Sequence, residues 1–169
     1  MTFYDNFIYL NQQQKFDQQE GIFYYSNSKL DYRWKWRLFN ANHSITYQFS
    51  TNEHVFRVPN LIFFTDIFIN PILFDSSLDF KIGSSVSYFS SYYSNAYSPV
   101  LGLTYLQNNQ LIGNFPFLTF YTKFSVESVS IEFQLANIYD ILSESTYYLS
   151  PNIPYFQTPF QLSINWQLD

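Results

Sequence analysis

Apolar and polar residues alternate along much of the chain, most clearly between residues 117 and 136. Phe120 and Phe133 belong to the apolar series, whereas Lys123 and Glu132 belong to the polar one. Alternation with a period of two places the apolar side chains on one face of a β-strand. The link at residues 125–128 is short enough for a tight antiparallel hairpin. Residues 160–168 repeat the pattern, so these segments predict three strands that are each apolar on one side.

The same pattern predicts about eight strands in all. The other five lie near residues 2–10, 30–38, 44–50, 61–69 and 78–88. The glutamine-rich residues 11–20 predict a loop, and Asn40-Ala41-Asn42 predicts a tight turn. Short connections thus alternate with long ones along the chain. This topology is typical of an up-and-down barrel with short periplasmic turns and long extracellular loops, which here are residues 90–114 and 138–158.

The amino-acid composition indicates which environment the apolar faces contact. Aromatic residues make up 23% of the 169 residues and charged residues only 12%, about half the charged fraction of a soluble domain. No apolar run approaches the roughly 20 residues of a membrane helix. We therefore predict an all-β fold, an antiparallel transmembrane β-barrel or the C-terminal segment of one, as a single unit over residues 1–169. The expected partners are the lipid bilayer of a Gram-negative outer membrane, the outer-membrane assembly machinery, and other strands or subunits that complete the barrel.

Two sets of side chains are singled out by this prediction. Aromatic girdles at the membrane surfaces are expected from Trp34, Trp36 and Trp166 on the short-turn side and from Tyr88 and Tyr92 on the other. The polar faces of the strands are expected to line the lumen, with Asp31, Arg33, Lys35, Arg37, Asp66, Asp79, Lys81, Lys123, Glu132 and Gln134.

The ladder from Asp31 to Arg37 has two readings. As a cationic strip on a pore wall it would favour the passage of anions. Alternatively it forms ion pairs with Asp66, Asp79 and Glu132 that fill the lumen. A closed barrel of about eight strands has room only for its own side chains, so a chain that closes alone predicts a structural role. Strands of a wider barrel would line water.

The sequence gives little support for nucleic-acid binding, metal binding or catalysis. The net charge of −5 argues against a nucleic-acid partner, which would require a basic stripe. There is no cysteine, and His43 and His54 are expected in turns or loops without the convergent ligands of a metal site. Lys123 and Glu132 predict an ion pair rather than an acid–base couple. The chain is therefore predicted to be non-enzymatic and without a cofactor. A soluble lipocalin-like barrel around an apolar ligand is the alternative, disfavoured by the low charge and by the positions of the tryptophans.

Several blocks in order carry a family resemblance. They are Tyr88-Phe-Ser-Ser-Tyr-Tyr-Ser-Asn-Ala-Tyr-Ser-Pro, Tyr105-Leu-Gln-Asn, Ile112-Gly-Asn-Phe-Pro-Phe, Tyr148-Leu-Ser-Pro and Ile164-Asn-Trp-Gln-Leu. From about Pro59 onward the chain resembles the putative porin family of the Bacteroidota. Ser163 stands where that family tends to have glycine, and Leu168 where outer-membrane proteins usually end on an aromatic residue. The resemblance implies an outer-membrane barrel of which this chain would be a C-terminal fragment or a shortened relative. We predict passive passage of small polar solutes, or a structural role in the outer membrane if the chain closes alone.

Overall fold

A computed structural model describes residues 1–73, 78–139, 148–154 and 160–167. Its main feature is one antiparallel sheet in which each long strand pairs with the next long strand along the chain. The strands of this sheet, in spatial order, are β1 (Thr2–Leu10), β2 (Phe16–Trp36), β3 (Phe39–Ser50), β4 (Leu61–Ile69), β6 (Leu78–Phe89), β9 (Pro116–Val126), β10 (Val129–Leu135) and β13 (Phe160–Trp166). The predicted all-β, up-and-down architecture with about eight long strands is confirmed.

Five short strands accompany the sheet. β5 (Ile72–Leu73) pairs with the start of β6. Two small hairpins belong to the connections, β7 (Ala96–Ser98) with β8 (Leu103–Tyr105), and β11 (Tyr148–Ser150) with β12 (Ile153–Pro154). Within the described residues no helix is both long and apolar enough to cross a membrane.

The connections differ at the two ends of the sheet. At one end, called the short-turn end, residues 37–38 and 127–128 each form a two-residue turn. Arg37 and Glu127 adopt positive φ angles there, 55° and 48°, which matches the left-handed backbone that tight hairpins require. At the other end, the long-loop end, the connections are residues 11–15, 51–60 and 90–115. The predicted loop 138–158 is described only at residues 138–139 and 148–154.

Two boundaries differ from the sequence prediction. The turn predicted at Asn40–Asn42 lies earlier, because Arg37 takes the left-handed conformation and the asparagines pair with β2, Asn40 opposite Lys35 and Asn42 opposite Arg33. The loop predicted at residues 11–20 ends at residue 15. Polar residues 17–19 instead continue β2 and pair with β1, which places Asp17 opposite Tyr9.

The sheet has two chemically distinct faces. Side chains that are opposite each other in the register share a face, so one face carries Ile45, Ile67, Ile82, Phe120, Phe133, Leu162 and Ile164. This face, called the outer face, is apolar and exposed: Trp166 and Ile164 are each 66% exposed, and Phe160 is 55% exposed. An apolar face of this extent is unusual for a water-soluble monomer and suits contact with lipid.

The inner face carries the polar series and is covered at the long-loop end. Residues 51–60 fold onto it, and the rings of Tyr4, Phe7 and Phe23 surround Phe56 at centroid distances of 5.1 to 6.2 Å. The most deeply buried apolar side chains also lie at this end, among them Leu10, Val55, Leu106 and Ile112. The apolar core is therefore formed between the sheet and its loops rather than along the whole sheet.

Substitution on β10 tests the two faces. Phe133→Arg should destabilise the membrane-inserted protein by about 2–4 kcal/mol, because a charge on the lipid face at mid-strand must be desolvated. Gln134→Arg, one residue away on the inner face, should cost much less. Urea unfolding in liposomes measures both, and equal costs at the two positions would contradict the assignment of faces.

Candidate functional site

The inner face of β2 holds the charged ladder that the sequence singles out. Asp31, Arg33 and Lys35 share this face and lie opposite Ser44, Asn42 and Asn40 of β3. The residues across the strand are neutral, so the ladder meets no carboxylate there. Asp31 instead pairs along its own strand with Lys29, at 3.1 Å between Nζ and Oδ1, and both side chains are more than half exposed.

Two cations of the ladder are exposed and form no ion pair among the described residues. Among the described residues, Arg33 and Lys35 form no ion pair, since the ion pairs found there join Lys29 to Asp31 and Lys81 to Asp66. Arg33 and Lys35 are exposed on the inner face. The reading in which the ladder pairs with Asp66, Asp79 and Glu132 therefore finds no ion pair to support it in this part of the chain.

Arg37 belongs to the turn rather than to the paired part of the ladder. Its guanidinium lies over the Trp36 ring, 5.4 Å from the centroid. Together with Lys35 and Asp79 it lines an open cavity of about 510 Å³ at the short-turn end, whose other polar residues include Asn40 and Asn70. Two cations and one carboxylate thus border the same polar space.

A compact polar knot occupies the middle of the inner face. The Asp66 carboxylate accepts a hydrogen bond from the Tyr121 hydroxyl at 2.6 Å. It also forms an ion pair with the Lys81 ammonium at 3.4 Å. The Lys81 ammonium also lies 3.7 Å from the centroid of the Phe68 ring, a cation–π contact that compensates for lost hydration. Asp66, Lys81, Tyr121 and Phe68 are called the polar knot below.

Gly83 makes the polar knot possible. A Cβ atom at this position would lie 2.7 Å from the Phe68 Cβ, 2.7 Å from the Tyr121 hydroxyl oxygen and 2.8 Å from the Ile67 carbonyl oxygen. Such distances are well inside van der Waals contact, and the carbonyl belongs to the paired backbone of β4. The absence of a side chain on β6 therefore lets Phe68 and Tyr121 approach each other across the strand.

The remaining predicted lumen residues lie further along the same face. Lys123 is opposite Lys81 on β6 and opposite Glu132 on β10. No ion pair joins Lys123 to Glu132 within the described ranges. The two residues lie opposite each other on neighbouring strands, but their charged groups are not in contact. The Gln134 amide donates a hydrogen bond to the Gln161 side chain of β13. Contact of these residues with water stays a prediction.

The predicted girdle residues fall into two groups. Trp34 and Trp36 stack along the outer face of β2 with centroids 6.3 Å apart, and Trp166 is exposed on β13. Tyr88 also lies on the outer face, and its hydroxyl donates to Asn114 Oδ1 at 3.0 Å. Tyr92 lies beyond β6, opposite Ile112, and lines a cavity between loops. Contact of any of them with a membrane surface stays a prediction.

Arg57 ties the long loops together and was not singled out by the sequence. Its guanidinium donates to the His54 carbonyl at 3.1 Å, to the Gln107 carbonyl, and to Asn108 Oδ1 at 2.8 Å. Burial lowers the pKa of Arg57 below its usual value, although an arginine remains protonated at neutral pH. Nothing in the periodicity marks this residue, because its role depends on the conformations of two loops far apart in sequence.

The two histidines lie in different parts of the fold. His43 was expected in a turn but lies on β3, where Nδ1 is 2.7 Å from the Thr65 hydroxyl and the ring stacks on Tyr32. His54 lies in the loop of residues 51–60, as expected. In the described part of the chain no three histidine, cysteine or acidic residues cluster as metal ligands.

Comparison with known proteins gives one match. A family model described as "Putative porin" matches residues 1–169, the whole chain. No curated protein and no solved structure matches the sequence significantly.

Substitution of Gly83 tests the polar knot. Gly83→Ala should lower the free energy of unfolding by about 1–3 kcal/mol, because the added methyl group overpacks a site bordered by backbone. Ser85→Ala, two residues further on the same face of β6, should change it by less than about 0.5 kcal/mol. Urea unfolding in liposomes would contradict the packing argument if both variants were equally stable.

Proposed function

Because the chain belongs to the putative porin family, we propose that its sheet forms the wall of an outer-membrane β-barrel whose inner face lines a passive path for small polar solutes. Membership of this family supports an outer-membrane location and a non-enzymatic role in general terms. The finer proposal, a water-lined path, rests on the chemistry of the two faces of the sheet. We further propose that the charged residues of β2, β4, β6, β9 and β10 face the lumen of the barrel.

The observation that carries the proposal is the exposure of two cations, Arg33 and Lys35, on the inner face of β2. Arg33 and Lys35 are exposed on the inner face without an ion pair in the described part of the chain. Enclosing them in a dry, filled interior would leave two unpaired charges buried, which costs several kcal/mol per ion. Water on this side of the inner face removes that penalty, while the apolar outer face is left for lipid.

The same cations support a preference for anions. Lys29 and Asp31 neutralise each other, as do Lys81 and Asp66. Arg33 and Lys35 form no ion pair among the described residues. With Lys29 and Arg37 against the single carboxylate of Asp31, residues 29–37 carry an excess of positive charge. Rings or rows of basic side chains on a pore wall favour anions. We infer that small anionic solutes pass more readily than cationic ones of equal size.

The exposed cations also favour a wide barrel. Eight strands that close on themselves enclose little more than their own side chains. The described sheet ends at β1 and β13, which do not pair with each other there. We infer that further strands or subunits complete the wall, which leaves room for water beside β2.

A structural barrel is the second candidate, and one observation favours it. The polar knot and the cluster around Phe56 both occupy the inner face, as expected for an interior filled by side chains. A lipocalin-like carrier has less support, because the loop of residues 51–60 folds onto the polar face and leaves the aromatic face of β13 exposed.

Accessibility of introduced cysteines separates the water-lined path from the filled barrel. The chain has no cysteine of its own, so Thr46→Cys on the inner face of β3 and Ile45→Cys on its outer face give a matched pair. In outer-membrane vesicles a charged thiol reagent should modify position 46 at least about tenfold faster, because a thiolate forms readily only in water. Slow reaction at both positions would favour the filled barrel.

Charge substitutions on β2 test the preference for anions. Arg33→Gln and Lys35→Gln should each lower the ratio of anion to cation flux into outer-membrane vesicles, and the double variant should lower it further. Lys15→Gln removes a cation from the loop of residues 11–15 and should leave the ratio unchanged. An unchanged ratio in the double variant would refute the role of the ladder, whatever the total flux.

A further inference from the structure

An open cavity of about 570 Å³ lies at the long-loop end, between residues 51–60 and residues 90–115. Its volume is within the range of small-molecule sites, about 300–1,000 Å³. Phe56 lies in its lining and also belongs to the aromatic cluster on the inner face. The cavity therefore stands directly above the inner face of the sheet. It is called the loop cavity below.

The walls of the loop cavity combine aromatic rings with neutral polar groups. Tyr92 and Tyr93 lie on the side of residues 90–115, and Tyr93 is 39% exposed, so part of its surface is open to a ligand. Ser91, Asn60 and Asn108 add hydroxyl and amide groups, which both donate and accept hydrogen bonds.

The loop cavity is lined by charges of both signs. Arg57 and Glu53 both border it, and these two side chains carry opposite charges. Two carbonyls and the Asn108 amide hold three of the five N–H groups of Arg57 in place. The Arg57 side chain therefore borders the cavity in a position that is already fixed, and a fixed donor costs little entropy on binding.

We propose that the loop cavity binds a short neutral saccharide. A sugar ring has an apolar C–H face that packs against an aromatic ring, and a periphery of hydroxyl groups that each donate and accept. The tyrosines offer the first kind of contact, and Arg57, Glu53 and the amides offer the second. A charged ligand of either sign would meet a like charge, at Glu53 or at Arg57. A purely apolar ligand would leave the polar walls without partners. This binding site goes beyond passive diffusion, since it would capture one class of solute before the path begins.

Titration calorimetry of the purified protein tests the site without any measurement of flux. The detergent must lack a sugar headgroup. The probes are maltotriose, cellotriose and chitotriose, with a triuronic acid as the anionic comparison. At least one neutral trisaccharide should bind, and the triuronic acid should bind at least about tenfold more weakly than the best of them.

Variants of Tyr93 locate the binding. Tyr93→Ala should weaken it at least about tenfold, and Tyr93→Phe, which keeps the ring, should change it by less than about threefold. Tyr97→Ala is the matched control, because Tyr97 is an exposed tyrosine of β7 outside the loop cavity. Migration of unheated samples in gels verifies that each variant is folded.

Three results would overturn the proposal: no binding of any neutral trisaccharide, tighter binding of the triuronic acid, or equal loss in Tyr93→Ala and Tyr97→Ala. None of them bears on the proposed path, because vesicle flux and cysteine accessibility are measured without these ligands.

Discussion

The constraint on which this structure depends is that backbone amide and carbonyl groups must be paired wherever the chain lies in lipid. An unpaired group in hydrocarbon costs several kcal/mol, far more than most side-chain contacts contribute. The continuous antiparallel ladder from β1 to β13 meets this demand strand by strand. It also fixes the register, because a slip by one residue would exchange the apolar face of every strand for its polar one. The separation of charge from lipid therefore follows from backbone pairing.

Alternation in the sequence predicts this sheet and the hairpin at residues 125–128 well, whereas composition misplaces the turn after β2. β4, β10 and β13 were located within about two residues, and the partition of their side chains between two faces follows the period of two. Asn40 and Asn42 indicate a turn by composition, yet a hairpin in which Arg37 adopts the left-handed backbone sets them in the strand. Turn propensity is weak compared with register, and the register is decided by pairs on a neighbouring strand that local sequence does not contain.

The candidate site shows the same division between local and long-range information. The ladder on β2 is visible in the sequence because its members are two residues apart. The partners of the charged residues are not visible in the sequence. Asp66, for example, accepts hydrogen bonds from Lys81 and Tyr121, which are 15 and 55 residues away along the chain. Gly83 determines that arrangement by lacking a side chain, which no pattern of polar and apolar residues reveals. Arg57 is a further case, since its hydrogen bonds cross to residues about 50 positions later.

Charge compensation divides the inner face into two parts. Near β6 and β9, Lys81 forms an ion pair with Asp66 and lies against the rings of Phe68 and Tyr121. Near β2, Arg33 and Lys35 lie opposite neutral asparagines and are exposed, so they keep their hydration only if water remains beside them. A barrel that was dry throughout would have to bury these cations without partners, and one that was wet throughout would gain little from the polar knot. We propose an asymmetric interior, in which the polar knot packs against β6 and β9 while β2 and β3 border water.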